Sequence, residues 1–331
     1  MDKILLGHGS GGKMMHQLIR ECFSPAFGIE GTGDSAIVTV PSKRLAYTTD
    51  SYVVTPLFFP GGNIGDLAVC GTVNDLAVAG AEPLFLTAGF IIEEGFPLGD
   101  LKKIIASMAA SAKLAQVRIV AGDTKVVNKG KADGLFINTS GVGVLRDDVE
   151  IAASRIKAGD KVIISGEIGN HGVAILAERN GLTFEPPVRT DSRPLNELVK
   201  KMLDVTRDIH FMRDPTRGGL ATTLKEAALE SGMCIKIQEH ALPIPPQVKG
   251  ACGLLGLDPL YVANEGILIA IMDKLNADAV VAVMKNDPFG RGTAIIGDVA
   301  AMPTGMVLLE TAIGGSRIID MLPGEQLPRI C

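Results

Sequence analysis

Residues 48–84, TTDSYVVTPLFFPGGNIGDLAVCGTVNDLAVAGAEPL, decide the fold. The run LAYTTDSYVV, Leu45–Val54, has the alternation and β-branched content of a strand. Past the prolines and glycines of residues 56–62 the pattern changes to one long helix, expected from Ile64 to Ala81. Asp75 falls inside that helix among Val73, Leu76, Ala77 and Val78, where burial is expected, and a buried carboxylate needs a partner or a metal to offset its desolvation.

Outward from this stretch, strand-like runs AIVTV, PLFLTAGFII and LFINTSGVGVL and a second helix, Leu98 to Gln116, complete one α+β unit between Ala36 and Leu145. A polar segment near residues 146–160 marks the boundary. A second series begins with KVIISGEIG at Lys161, with helices expected near 170–181, 193–205, 218–231 and 275–286 and strands at CIKIQ, GILIAIM and TAIIGDV. MVLLE, residues 306–310, is the last strand-like run, and a loose tail follows. The expected division is 1–35 for a glycine-rich arm and helix, 36–150 and 151–313 for two domains, and 314–331 for a flexible tail.

The chain has 331 residues, is 47% hydrophobic and 21% charged, and carries a net charge of -5, which gives no basic field for nucleic acid or acidic lipid. No apolar run approaches the roughly 18 residues of a membrane span and the start lacks a signal-peptide core, so a cytoplasmic protein is expected. Five cysteines, at 22, 70, 234, 252 and 331, show no C-x-x-C pairing, and four of them sit in apolar surroundings as small core residues. Cys331, behind LPGEQLPRI, has no place in a core by this reading.

Carboxylates recur at strand edges or inside an apolar helix: Asp34 in TGDSA, Asp50 in YTTDSY, Asp75 in TVNDLAVAG and Asp123 in VAGDTKV. One alone is an ordinary cap or turn residue, whereas several converging ones suit Mg²⁺ with nucleotide phosphates completing its shell. GHGSGGKM, residues 7–14, fits the first part of a P-loop, but Met14 stands where a Ser or Thr would hold magnesium and the preceding ILL makes a poor strand. Backbone N–H groups of Gly9, Gly11 and Gly12, with Lys13, remain able to close over phosphates. RDPTRGG puts Asp214, Thr216, Arg217 and two glycines at a helix entry, a place suited to anions, and YVANEGILIAIM sets Glu265 before an apolar strand, suited to a turn or a general base.

Taken in order, GDSA, the 48–84 stretch, VAGDTKVV, MRDPTRGGLATTLKE, ANEG and the terminal PRIC closely resemble the HypE family of hydrogenase maturation proteins, in the aminoimidazole ribonucleotide synthetase-like (PurM-like) superfamily. The resemblance covers essentially the whole chain. It implies a two-domain PurM-like α+β fold whose first domain binds ATP and forms a homodimer. It also implies that Cys331 is the substrate, carbamoylated by a HypF-type carbamoyltransferase and then dehydrated with ATP to a thiocyanate, whose cyanide passes to a HypC–HypD iron-carrying complex. On the same footing Asp34, Asp50, Asp75 and Asp123 would hold Mg²⁺. ATP would meet Gly9, Gly11, Gly12, Lys13, Asp34, Asp50, Asn74, Asp123, Thr124 and Asp214. Cys331, Lys125, Glu265 and Arg217 would carry the chemistry, Glu265 as base and Lys125 stabilising the phosphorylated oxygen.

Three rivals remain at this stage. Selenophosphate synthetase calls for a reactive cysteine in the glycine-rich arm, and GHGSGGK has none. A small-molecule kinase gives no reason for Cys331, and a metal-delivery scaffold would rest on a lone thiolate, a weak metal site.

Overall fold

A computed structural model of the chain describes residues 12–18, 20, 36–40, 43–324, 327 and 329–331. Gly9, Gly11, Cys22 and Asp34 lie outside the described residues. A short helix, α1 (Lys13–Leu18), precedes a sheet of β1 (Ala36–Val40), β2 (Lys43–Tyr52), β5 (Ala81–Glu93), β6 (Arg118–Val127) and β7 (Leu135–Leu145). Their order is β1-β2-β7-β5-β6, with only β5 and β6 parallel. A two-stranded ribbon of β3 (Phe58–Phe59) and β4 (Gly62–Asn63) leads into the long helix α2 (Ile64–Val78).

Alternation along β2 gives the sheet its two faces. Ala46, Thr48 and Tyr52 are buried, while Tyr47, Thr49 and Ser51 are exposed. On the buried face lies α2, with α3 (Leu98–Leu114) against it. The start of α2 is a capping box: Asn63 accepts from the Gly65 N–H at 2.8 Å, and Asp66 accepts from the Asn63 N–H at 2.7 Å. Because α2 is apolar on nearly every side, it is enclosed by the sheet, α3 and the second unit together.

The second sheet runs β14 (Ser316–Ile319), β13 (Val307–Glu310), β10 (Cys234–Gln238), β12 (Ala294–Ala300), β8 (Lys161–Ile164), β11 (Ile269–Met272), β9 (Ile209–Arg213). Around it stand α4 (Asn170–Asn180), α5 (Asn196–Val205), α6 (Gly219–Ser231), α7 (Pro246–Leu255) and α8 (Lys274–Lys285). One face packs on residues of α6, including Leu220 and Leu224, and the other on residues of α5 and α8, including Met202 and Val280.

Several elements escape the sequence reading, among them β6, β9 and the β3–β4 ribbon. The segment 316–319, expected as loose tail, pairs with β13 because Ile319 reaches the core while Ser316, Arg317 and Ile318 stay outside. The helix α7 begins with a proline in its first turn and carries two glycines, a composition that hides its periodicity.

Burial lifts the Asp66 carboxyl from its ordinary 3.8 to about 6. The folded state therefore holds this proton more tightly than the unfolded chain. Its contribution is present in full below about pH 4 and lost as pH rises through about 6. Asp66→Asn keeps the acceptor of the capping box, so its melting point, measured by calorimetry, should exceed the wild type's by about 2–4 °C at pH 7.5 and match it at pH 4. A constant difference across this range would remove the explanation.

Candidate functional site

The tail folds back between the two units. Val53 N–H donates to a Cys331 carboxyl oxygen at 3.1 Å, and Thr55 N–H donates to the Arg329 carbonyl at 3.4 Å. The Arg329 guanidinium bonds the Val53 carbonyl at 2.9 Å, pairs with Asp133 and stands over the Phe136 ring. Ile330 and Cys331 are buried, the latter 8% exposed, in the cluster that holds Tyr52, Leu67 and Ala263. This corrects the expectation that Cys331 belongs to no core: its own tail carries it into one.

Around the sulfur the surroundings become polar. Arg217 Nη1 lies 3.6 Å from Cys331 Sγ, at the entry of α6, where Gly218 takes the left-handed conformation. Glu265 is 2% exposed, and among the described residues its Oε1 has no hydrogen-bond partner. Burial holds the Glu265 carboxyl well above its ordinary pKa, with Asp214, Asp50 and Asp191 adding to the effect. Burial also pushes the Cys331 thiol up to about 12, although Arg217 opposes it. In this position Cys331 is a neutral thiol, a poor nucleophile.

One loop positions these groups. The Asp191 carboxylate accepts from the N–H of Glu265, at 3.2 Å, and of Gly266, at 3.0 Å. A Cβ at Gly266 would overlap the Asp191 carbonyl, so this approach requires glycine. Asn264 Nδ2 donates to the Pro215 carbonyl at 2.8 Å, which ties the turn of Glu265 to the loop of Arg217. Asn74, on α2, donates to the carbonyls of Arg193 and Glu265 and accepts from the Leu195 N–H at 2.8 Å. Asn74 is completely buried. Its expected place on ATP is therefore corrected to one at the joint of the two units, where its amide is already engaged.

Of the expected metal set, Asp50, Asp75 and Asp123 do not assemble among the described residues of one chain. Among the described residues no three His, Cys, Asp or Glu side chains gather to hold an ion. Asp50 is opposite Thr139, Thr139 opposite Ala88, and Ala88 opposite Gly122, which puts Asp123 on the other face of the sheet. Three strand spacings of about 4.8 Å separate β2 from β6 as well. Asp123, Thr124 and Lys125 are exposed on the edge strand, Asp123 paired with Lys125 at 2.5 Å. Lys125 therefore does not meet the Cys331 of its own chain. Asp75 accepts from Thr48 Oγ1 at 2.7 Å, on the same side of β2 as Asp50. Gly12 and Lys13 approach the base of the tail, Lys13 N–H donating to the Leu322 carbonyl at 3.1 Å, and Gly12 shares a small cleft with Arg217, Gly218, Thr222 and Tyr261.

Thus Arg217 meets Cys331, and Glu265, Asp214 and Asp50 lie near enough to influence the charges there, while Asp123, Thr124 and Lys125 stay apart. Sequence reasoning missed Tyr52, His171, Arg179 and Asp191. No short-range spacing marks them, since each acts on a residue far away in the chain.

The AIR synthase related protein family matches this chain twice, its N-terminal domain over residues 32–145 and its C-terminal domain over residues 157–307. The carbamoyl dehydratase HypE of Bradyrhizobium diazoefficiens is 54% identical over 330 residues, 98% of this chain and 95% of that protein. A crystal structure of a HypE–HypF complex superposes with a TM-score of 0.88 at 48% identity, covering 92% of this chain and 99% of that one. A HypE structure in complex with ATP gives 0.84 at 47%, covering 99% and 100%.

Glu265→Gln removes a buried group whose charge the fold disfavours. The variant should be more stable than the wild type by about 1–2 kcal/mol in urea at pH 8, and the gap should close below pH 4.5, the ordinary value for Glu. A less stable variant at pH 8 would show that the carboxylate is a structural partner.

Proposed function

Since this chain belongs to the AIR synthase related family, and within it to the HypE carbamoyl dehydratases, we propose that it dehydrates a carbamoyl group carried on its own Cys331 sulfur, with ATP, to a thiocyanate. The product serves hydrogenase maturation as the source of cyanide for the iron of [NiFe]-hydrogenase. The observation that carries the reading is Cys331 buried with its sulfur 3.6 Å from Arg217 and within the electrostatic influence of Glu265, whose buried Oε1 is bare. A carboxamide on that sulfur has an oxygen for Arg217 to bond and N–H groups for Glu265 to accept.

In outline, R–S–C(=O)NH₂ and ATP become R–S–C≡N, ADP and phosphate. ATP bound with Mg²⁺ supplies the phosphoryl group that lets the carboxamide oxygen leave. Glu265, raised in pKa by burial, is suited to take an N–H proton near neutral pH, and Arg217 neutralises charge gathering on the oxygen. The closed pocket excludes water that would hydrolyse the group.

Mg²⁺ keeps near-octahedral geometry but takes most of its ligands from phosphates and water, so single carboxylates suffice for it. Asp50 and Asp75 would hold it from one chain, and Asp34 and Asp123 would complete the set. Gly9, Gly11, Gly12 and Lys13 would contribute to binding ATP, as would Asp214. Asp123, Thr124 and Lys125 act toward a second copy in a homodimer. Supporting this, β6 is a ten-residue edge strand with Val120 and Val126 more than half exposed, and bare apolar edges are usually covered.

The neutral buried thiol does not suit carbamoylation, and a buried thiocyanate is out of an acceptor's reach, so the tail moves outward to a HypF-type carbamoyltransferase and later to a HypC–HypD acceptor. The domains divide at residue 150, and the protein works in the cytoplasm; no helix among the described residues is long and apolar enough to cross a membrane.

With a HypF-type partner, carbamoyl phosphate and Mg-ATP, the C-terminal peptide should first gain one carbamoyl group and then lose one water, as read by mass. Glu265→Gln should stop at the carbamoyl stage with a rate loss of about 100-fold or more. Unimpaired water loss in that variant removes Glu265 as the base, and an unmodified Cys331 removes the function.

Val126→Lys should convert a homodimer to monomers in sedimentation equilibrium. A wild type that is monomeric at micromolar concentration, or a variant that stays dimeric, would move the interface elsewhere.

A further inference from the structure

The final peptide of the chain is gripped by a histidine. His171, in the first turn of α4, is completely buried, with Nε2 2.8 Å from the Ile330 carbonyl oxygen and Nδ1 2.8 Å from Thr190 Oγ1. A carbonyl can only accept, so Nε2 carries the proton and Nδ1 accepts from the Thr190 hydroxyl. Burial lowers the His171 pKa, and the ring stays in the neutral form that this pattern requires. The Thr190 oxygen in turn accepts from Ser192 N–H at 3.1 Å, and Phe59 stands edge-on to the imidazole, which leaves the ring one orientation.

Further along α4, Arg179 donates to the Arg329 carbonyl at 3.0 Å and also to the Thr55 carbonyl. Two successive peptide groups of the tail are thus held from one helix. The Ile330 carbonyl belongs to the peptide bond that enters Cys331, so fixing it fixes the Cys331 Cα; with Val53 N–H on the Cys331 carboxyl oxygen, this confines the space its side chain can reach, in which Arg217 meets the sulfur at 3.6 Å. Thr190 adjoins Asp191, whose carboxylate holds the turn of Glu265. One loop therefore sets both the carboxylate and the latch on the sulfur.

We propose that His171 is a positioning residue for Cys331, its Nε2–H holding the Ile330 carbonyl so that the sulfur is aimed at Arg217 and Glu265, with the tautomer set by Thr190. This rests on the reading of Cys331 as the carrier of the reacting group, but its first test does not.

The full-length protein is treated with iodoacetamide under native conditions, and Cys331 labelling is followed by the mass of the C-terminal peptide. Gln in place of His puts an amide N–H near Nε2, whereas Asn puts one near Nδ1. His171→Asn should label about tenfold faster than the wild type, the effect of losing about 1.4 kcal/mol of docking, and His171→Gln should stay within about threefold. Thr190→Val, which leaves the ring untouched, should also label faster. Single-turnover water loss from the carbamoylated tail should slow in His171→Asn and recover in His171→Gln. Labelling of His171→Asn and Thr190→Val at the wild-type rate overturns the proposal, as does Gln labelling as fast as Asn, which would make His171 a filler of space. Labelling that separates Asn from Gln while no variant dehydrates supports the latch and removes the dehydratase reading.

Discussion

The turn Asn264–Gly266, closed against the Asp191 carboxylate, is the constraint on which the site depends. Two backbone N–H groups donate to one carboxylate, and the absence of a Cβ at Gly266 lets the strands of the turn and the loop touch. That closure aims Glu265 inward with one oxygen bare. Asn264 then carries the same constraint to the Arg217 loop, and Asn74 carries it across to α2 of the first unit. The four segments are separated by up to about two hundred residues in sequence, yet each is held by side chains bonding main chain, which tolerates little displacement.

A consequence is that the terminal cysteine meets two opposed influences. Burial favours the neutral thiol, and Arg217 favours the thiolate, with burial dominating. A free thiolate in such a pocket would attack electrophiles, so the docked state protects the sulfur from unwanted chemistry. Once the sulfur carries a carboxamide it no longer titrates, and Arg217 and Glu265 face a group with complementary donors and acceptors. On the proposed reading the same pocket would shield the unmodified tail and read the modified one. Glu265 is the cost: a carboxyl held far from water destabilises its ionised form and gives the site its capacity to accept a proton.

The first sheet divides its acidic residues by geometry alone. Period-two alternation sends Asp50 toward α2 and Asp123 to the opposite face, and the order β1-β2-β7-β5-β6 puts three strand spacings between them. The group on β6 is directed away from the chain's own tail and toward whatever covers that edge. The proposed homodimer would account for both the bare strand and the exposed Asp123–Lys125 pair.

Sequence alone determined the elements with strong periodicity. The strand read over Leu45–Val54, which the structure places at Lys43–Tyr52, the helix from Ile64 and the helix near 218–231 were legible because hydrophobic period and turn chemistry are local properties. The motifs marked Arg217, Glu265 and Cys331 as well, and the structure brings them together. What the sequence did not hold was distance. It placed four aspartates in one set although strand order and pleat separate Asp50 from Asp123, and it put Asn74 on a nucleotide although burial commits its amide to backbone groups. His171, Arg179 and Asp191 carried no signal, because their partners lie at Ile330, Arg329 and Glu265. Such long-range pairings form only when two sheets and a returning tail close on one another, and that closure was decided by the tertiary structure.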